Sequence, residues 1–185
     1  RSGIQICLNC SYPITSEIHS EKCITVRMWG FKTQEVNEEF KPMMTYGLGG
    51  CTAGLVAIKD DVFLNILLVH DPSEDIVKQR IQAYLGEYND TEYESFVIIR
   101  TPEEYIKNDE GKYITVPKNN TYWETFLTNS DIIRIKCTYC IEPYSLTSSF
   151  LDNNYHTTLH CKIEGDELQY STIYGSWKNI EECKK

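Results

Sequence analysis

The sequence contains no apolar run approaching the roughly 18 residues a membrane-spanning helix needs. Basic residues are in deficit too: 18 Lys and Arg stand against 27 Asp and Glu, for a formal charge of −9. A nucleic-acid footprint needs clustered cations, and here they are scattered among acids, so neither nucleic acid nor an anionic membrane is an expected partner. The opening RSGIQICLNC lacks the charged-then-apolar layout of a secretory signal. A mature secreted chain would have lost its signal, so the compartment stays open between secretion and a host cytosol reached by a viral or toxin-like effector. Repeats, low-complexity tracts and Pro/Gly/Ser linkers are also missing, and nothing marks a boundary. With 185 residues, 41% of them hydrophobic, the expectation is one well-buried domain over 1–185, whose first 42 residues are a polar, cysteine-containing segment of undetermined packing.

What is present reads as sheet. CITVRMW (23–29), TAGLVAI (52–58), VFLNILLVH (62–70), SFVIIR (95–100) and DIIRIKCTY (131–139) are β-branched or apolar runs of strand length. YHTTLHCKI and LQYSTIYGSW flank EGDE as a hairpin. One helix is well signalled in HDPSEDIVKQRIQAYLGEY: Asp71 or Ser73 is the cap, acids fill the first turn, and Val77, Ile81, Tyr84 and Leu85 form one apolar stripe ended by Gly86. TYWETFLTN suits a second, shorter helix. Strands outnumber helices, so the expected fold is α+β, a sheet-rich sandwich-like core with a helix after the central strand pair. EIHSEK and KTQEVNEEFK read as solvated loops, and EPYS as a loop.

Eight cysteines occur, at 7, 10, 23, 51, 137, 140, 161 and 183. Two CxxC pairs, CLNC and CTYC, could together close a tetrahedral zinc site, but their separation far exceeds the usual spacing; disulfides and free thiols are the alternatives. Cys7 and Cys10, in a polar segment read as having no histidine nearby, are expected to serve stability. His156 and His160 in HTTLH do not suit a metal, because in a strand they stand about 13 Å apart.

The chemistry concentrates in TYGLGGC (45–51). Blandly, its glycines turn the chain and Cys51 starts a buried strand. More pointedly, the turn presents Cys51 as a nucleophile. Acyl transfer by a thiol needs a base and oxyanion donors. A hairpin tip at KDD would set Cys51, at the head of one strand, beside His70 at the tail of the next, unless His70 is merely a helix-entry residue bonding the first turn. Gly49 and Gly50, with Gly47, permit backbone N–H groups to face a bound carbonyl, and the Thr45 hydroxyl could orient the imidazole. With an imidazolium beside it, Cys51 would label fast at pH 6 to 7.

This segment resembles the Thr-Leu-Gly-Leu-Gly-Ser-Cys stretch of the bacterial chemotaxis-receptor deamidase CheD and the Leu-Ser-Gly-Cys stretch of toxins of the cytotoxic necrotizing factor type. The resemblance spans about residues 43–72. It implies a sheet-rich α+β fold and a Cys-His centre that deamidates, or transamidates, protein glutamine, with Cys51 as nucleophile, His70 as base and Thr45 as ancillary hydroxyl. It implies a protein substrate and no cofactor or metal. The separation of Cys51 from His70, 19 residues, is longer than in that family, and the KDDV tip absorbs it. The competing expectation is a non-catalytic, disulfide-stabilised secreted or virus-encoded module whose acidic surface engages a basic partner.

Overall fold

A computed structural model of the chain describes residues 6–7, 9–90, 92–146, 157–173 and 176–183. The first half runs α1 (Glu17–Lys22), β1 (Ile24–Thr25), β2 (Gly30–Glu35), β3 (Met43–Thr45), β4 (Thr52–Lys59), β5 (Phe63–Asp71) and α2 (Glu74–Gly86). The second half adds β6 (Glu94–Lys107), β7 (Tyr113–Pro117), α3 (Asn120–Leu127), β8 (Lys136–Tyr144), β9 (Leu159–Glu164), β10 (Glu167–Ile173) and β11 (Ser176–Asn179).

β4 and β5 are the centre because the KDD tip closes them into an antiparallel hairpin, with Lys59 opposite Phe63. Both strands are apolar almost throughout, which suits a sheet covered on two sides. The strand alternation then sorts their side chains. Leu55, Ala57, Ile66, Leu68, Phe96 and Ile98 face a second sheet, while Val56, Ile58, Leu67, Val69, Val97 and Ile99 face the helices. The central sheet runs β2-β5-β4-β6, with β7 and β8 both pairing β6; the opposing sheet runs β1-β3-β9-β10-β11. The core is therefore a sandwich with α2 and α3 on the far side of the central sheet.

The α2 stripe is the one the sequence predicts: Val77, Ile81, Tyr84 and Leu85 are buried, and Ser73 caps the helix by accepting from Ile76 N–H at 3.3 Å. Gly54 lets this helix close on β4. A Cβ there would lie 2.9 Å from Ile81 Cδ1 and 3.2 Å from Val69 Cγ1. The hairpin at 164–167 forms around Gly165, whose φ is 63°, and α3 forms with Trp123 fully buried.

Five expectations are corrected, the first being KTQEVNEEFK, read as a solvated loop, whose residues Lys32, Thr33, Gln34 and Glu35 belong to β2 and pair with β5. CITVRMW is a strand only at Ile24–Thr25, because the chain turns at Arg27–Gly30 and passes from one sheet to the other. In DIIRIKCTY, Ile133 and Ile135 are buried under α3 without strand pairing; β8 begins at Lys136, where its partner β6 begins at Glu94. EPYS is not a loop: Glu142, Pro143 and Tyr144 end β8, which among the described residues pairs only with β6 and so tolerates a proline. EIHSEK is the helix α1, and its His19 points inward, fully buried. Among the described residues, no helix is long and apolar enough to cross a membrane.

Candidate functional site

Thr45 and His70 meet across the space between the two sheets, and Cys51 lies in the same inter-sheet core just before β4. Thr45 ends β3 of one sheet, and His70 lies in β5 of the other. The β4–β5 register sets Ala53 opposite His70 and Thr52 opposite Asp71. Cys51, two residues before Ala53, is thus the diagonal neighbour of His70 on the same face, a relation that separates Cβ atoms by about 7–8 Å and lets longer side chains meet. His70 is flanked across the sheet by Gly30 and Ala53, so neither neighbouring strand crowds its ring.

The hydrogen bonds around His70 fix its tautomer. Thr45 Oγ1 has one proton, which it donates to the Val26 carbonyl at 2.6 Å. Its oxygen, 2.7 Å from His70 Nδ1, therefore accepts a bond from an Nδ1–H. That leaves Nε2 with a bare lone pair, and Nε2 is buried with no hydrogen-bond partner. The ring does not cap the helix. Asp71 Oδ1 takes the Ser73 N–H at 2.9 Å instead. Burial pushes His70 down to about 4 against a weaker opposing pull from Asp71, so the ring is neutral at pH 7.

Cys51 is 7% exposed, and its thiol lies 3.5 Å from Met28 Sδ, the 43%-exposed residue that covers it. Burial first, and the Asp71 carboxylate second, raise the thiol above its ordinary value. The expected thiolate–imidazolium pair is therefore disfavoured, because burial opposes charge on the Cys51 thiol and on the His70 ring alike. Desolvation disfavours both charges, and Asp71 opposes a thiolate.

The turn before Cys51 is built on positive φ angles, 64° at Gly47, 39° at Gly49 and 111° at Gly50. Three of its N–H groups are engaged, that of Leu48 by the Thr157 carbonyl at 3.1 Å. Cys51 N–H donates to the Leu48 carbonyl at 2.5 Å, and Gly50 N–H donates to Tyr144 Oη at 2.8 Å. Tyr144 in turn donates to the Cys51 carbonyl at 2.6 Å, so one buried phenol clasps both sides of the turn. The Gly49 N–H has no partner among the described residues. Arg100, buried on β6, extends this support. It donates to the carbonyls of Pro143 at 2.6 Å and Thr172 at 2.8 Å, tying the two sheets, and stacks over Tyr144 at 5.5 Å.

Tyr144, Arg100, Met28 and Asp71 as a charge beside the thiol were not legible in the sequence. Only the register of β6 with β4 and β8 carries Arg100 and Tyr144 to the turn. The cysteine expectations are redrawn as well. Cys140 is bridged to Cys183, with Cα atoms 5.6 Å apart, so CTYC does not join CLNC in one metal site. His19 lies 3.4 Å from the Cys10 sulfur, contrary to the reading that no histidine is nearby. Of the HTTLH pair, His156 lies outside the described residues, and His160 is buried on β9 against Trp177. No protein-family model and no curated protein matches the chain.

Proposed function

We propose that the protein is a cysteine-dependent amidohydrolase acting on glutamine side chains of a protein substrate, with Cys51 as nucleophile, His70 as base and Thr45 as the group that holds the ring. The observation carrying this reading is the buried Nε2 of His70, which has no partner among the described residues, on a ring whose tautomer is set by Thr45 and whose place in β5 is diagonal to Cys51. A buried polar atom left without a partner costs on the order of 1–3 kcal/mol. A base awaiting a proton accounts for that cost, although the buried His160 leaves its Nδ1 unpartnered in the same way.

The proton inventory follows from the neutral resting pair. The Cys51 thiol gives its proton to Nε2 as sulfur attacks the carboxamide carbon, and the tetrahedral oxygen develops charge near the Gly49 N–H. The C–N bond breaks, the nitrogen takes the proton from Nε2, and ammonia leaves a thioester on Cys51. Water then attacks, giving its proton to Nε2, and the C–S bond breaks to restore thiol and free imidazole. An amine in place of water would give transamidation. The resemblance of residues 43–72 to the CheD and cytotoxic necrotizing factor deamidases points the same way.

A protein substrate is favoured by the rim. Trp29, next in sequence to Met28, is 70% exposed and holds φ at 66°, an uncommon conformation for a bulky side chain. Such strain concentrates at binding and catalytic loops. The test is incubation with fractionated protein extracts, reading ammonia release and the amide-to-acid mass change at a target glutamine. Cys51→Ser is expected to abolish both, His70→Ala to reduce them by about 10²–10⁴, and Thr45→Ala to weaken them less. If an extract protein is retained stoichiometrically while no glutamine changes, the chain is a binding module.

A further inference from the structure

The N-terminal segment carries a second meeting of cysteine and histidine, remote in role from Cys51. Cys7, Cys10, His19 and Cys23 each direct a ligand atom to one point, and the four atoms lie within 4.8 Å of one another. Three of these residues are fully buried and Cys10 is partly so. Cys7 Sγ is 3.7 Å from Cys23 Sγ, and Cys10 Sγ is 3.4 Å from His19 Nδ1. A tetrahedral zinc with Zn–S near 2.3 Å and Zn–N near 2.0–2.1 Å has S···S edges of about 3.8 Å and S···N edges of about 3.5 Å. A disulfide would need sulfurs about 2.05 Å apart.

The surrounding chain is arranged for a ligand set. Cys7 and Cys10 sit in a tight hairpin: Ile6 bridges Pro13, Ser11 N–H returns to the Cys7 carbonyl at 3.0 Å, and Ser11 takes φ 66°. Asn9 N–H donates to Cys7 Sγ at 3.3 Å, a bond that favours a thiolate acceptor. His19 and Cys23 come from the end of α1, where Cys23 N–H closes on the His19 carbonyl at 2.8 Å, so the two side chains share one face. His19 Nε2 lies 2.6 Å from Thr25 Oγ1, whose own proton faces Met44 Sδ at 3.6 Å. His19 is accordingly protonated on Nε2, and Nδ1 turns its lone pair to the sulfurs. This is the outer-shell arrangement that orients a metal-bound imidazole.

We propose that Cys7, Cys10, His19 through Nδ1, and Cys23 bind one zinc ion in a closed, tetrahedral structural site that fastens the N-terminal segment to the outer face of the β1-β3-β9 sheet. Three thiolates and one imidazole in a tetrahedron select zinc among common divalent ions. Four protein ligands leave no open position, so the role is structural. The need is evident from α1, whose six residues are too few to hold a helix unaided. The ion would also anchor the chain three residues before Val26, whose carbonyl accepts the Thr45 hydroxyl.

The test is the metal content of the full chain, purified under reducing conditions without chelator and again after refolding with zinc chloride. One zinc per chain is expected. Cobalt exchanged for it should give the visible bands of a tetrahedral site and the sulfur-to-metal absorption of three thiolates. Cys10→Ser should lower the affinity for zinc, His19→Cys should retain a full equivalent, and Cys51→Ser and Cys137→Ser should leave it unchanged. If a serine variant fails to fold, the wild-type cobalt spectrum decides. The proposal is overturned by substoichiometric zinc in folded protein after refolding with the metal, by zinc lost with Cys51→Ser, or by a Cys7–Cys23 bridge in the peptide map of the purified protein.

Discussion

The two cysteine–histidine meetings use the imidazole in opposite senses. At the inter-sheet end, a threonine takes Nδ1–H of His70 and leaves Nε2 bare. On the outer face, a threonine takes Nε2–H of His19 and leaves Nδ1 facing sulfur. At the first, one ring lone pair has no partner among the described residues, and burial disfavours charge on both the ring and the Cys51 thiol. At the second, four ligand atoms converge and no atom is left over. In the roles proposed for them, the same two residue types give a proton-transfer pair or an ion cage, according to which ring nitrogen the neighbouring hydroxyl occupies.

The largest expected effects separate the two regions. Cys51→Ala should remove glutamine deamidation entirely and His70→Ala should reduce it by about 10²–10⁴, the usual worth of a general base. Neither should change the zinc content. Conversely, His19→Cys should retain both zinc and activity. Rate assays and metal analysis on the same preparations check this; activity that follows zinc rather than Cys51 would merge the two sites into one.

Acid should reach the inter-sheet pair next. His70 is held down at about 4, whereas in the unfolded chain it titrates near 6.5. Between those values the unfolded chain binds a proton that the native protein does not, so stability rises with pH there. The contribution is present above pH 6.5 and lost as pH falls through 4, amounting to at most about 3 kcal/mol. Urea midpoints of wild type and His70→Gln at pH 7 and pH 4.5 give the comparison: wild type should lose more stability on acidification. Equal losses would mean that His70 is not buried neutral.

Tyr144→Phe should cost about 1–3 kcal/mol in urea unfolding, because it strands the Gly50 N–H and the Cys51 carbonyl at once. Loss of the clasp should lower activity as well, through the turn rather than the base. The smallest effect concerns access. Wild-type Cys51 should alkylate slowly at pH 7, being protonated and covered, and Met28→Ala should speed labelling a few-fold by opening the path to the thiol. Rapid labelling of wild type would mean the thiolate is already formed.

Patterning carried much of this into view. The α2 stripe, the β4–β5 hairpin and the β9–β10 hairpin are local features, set by periodicities of 3.6 and 2 and by turn residues, and the strand pair brings Cys51 and His70 together without knowledge of any other element. What escaped depends on contacts distant in sequence. Tyr144 reaches Gly50 only because β8 pairs β6 and β6 pairs β4. Resting protonation states were misjudged for a related reason: spacing gives proximity but not desolvation, and burial decides that Cys51 and His70 remain uncharged. His19 was passed over because EIHSEK is polar by composition. Its one buried face emerges only when α1 packs beside the Cys7–Cys10 hairpin.

The contrast between the two imidazoles is most directly tested by nitrogen-15 NMR of the histidine rings in zinc-loaded protein at neutral pH. The account predicts that His70 is neutral with its proton on Nδ1 and a free Nε2, while His19 carries its proton on Nε2 and shows a metal-bound Nδ1. A His70 protonated on Nε2 or on both nitrogens, or a His19 whose Nδ1 bears the proton, would contradict it.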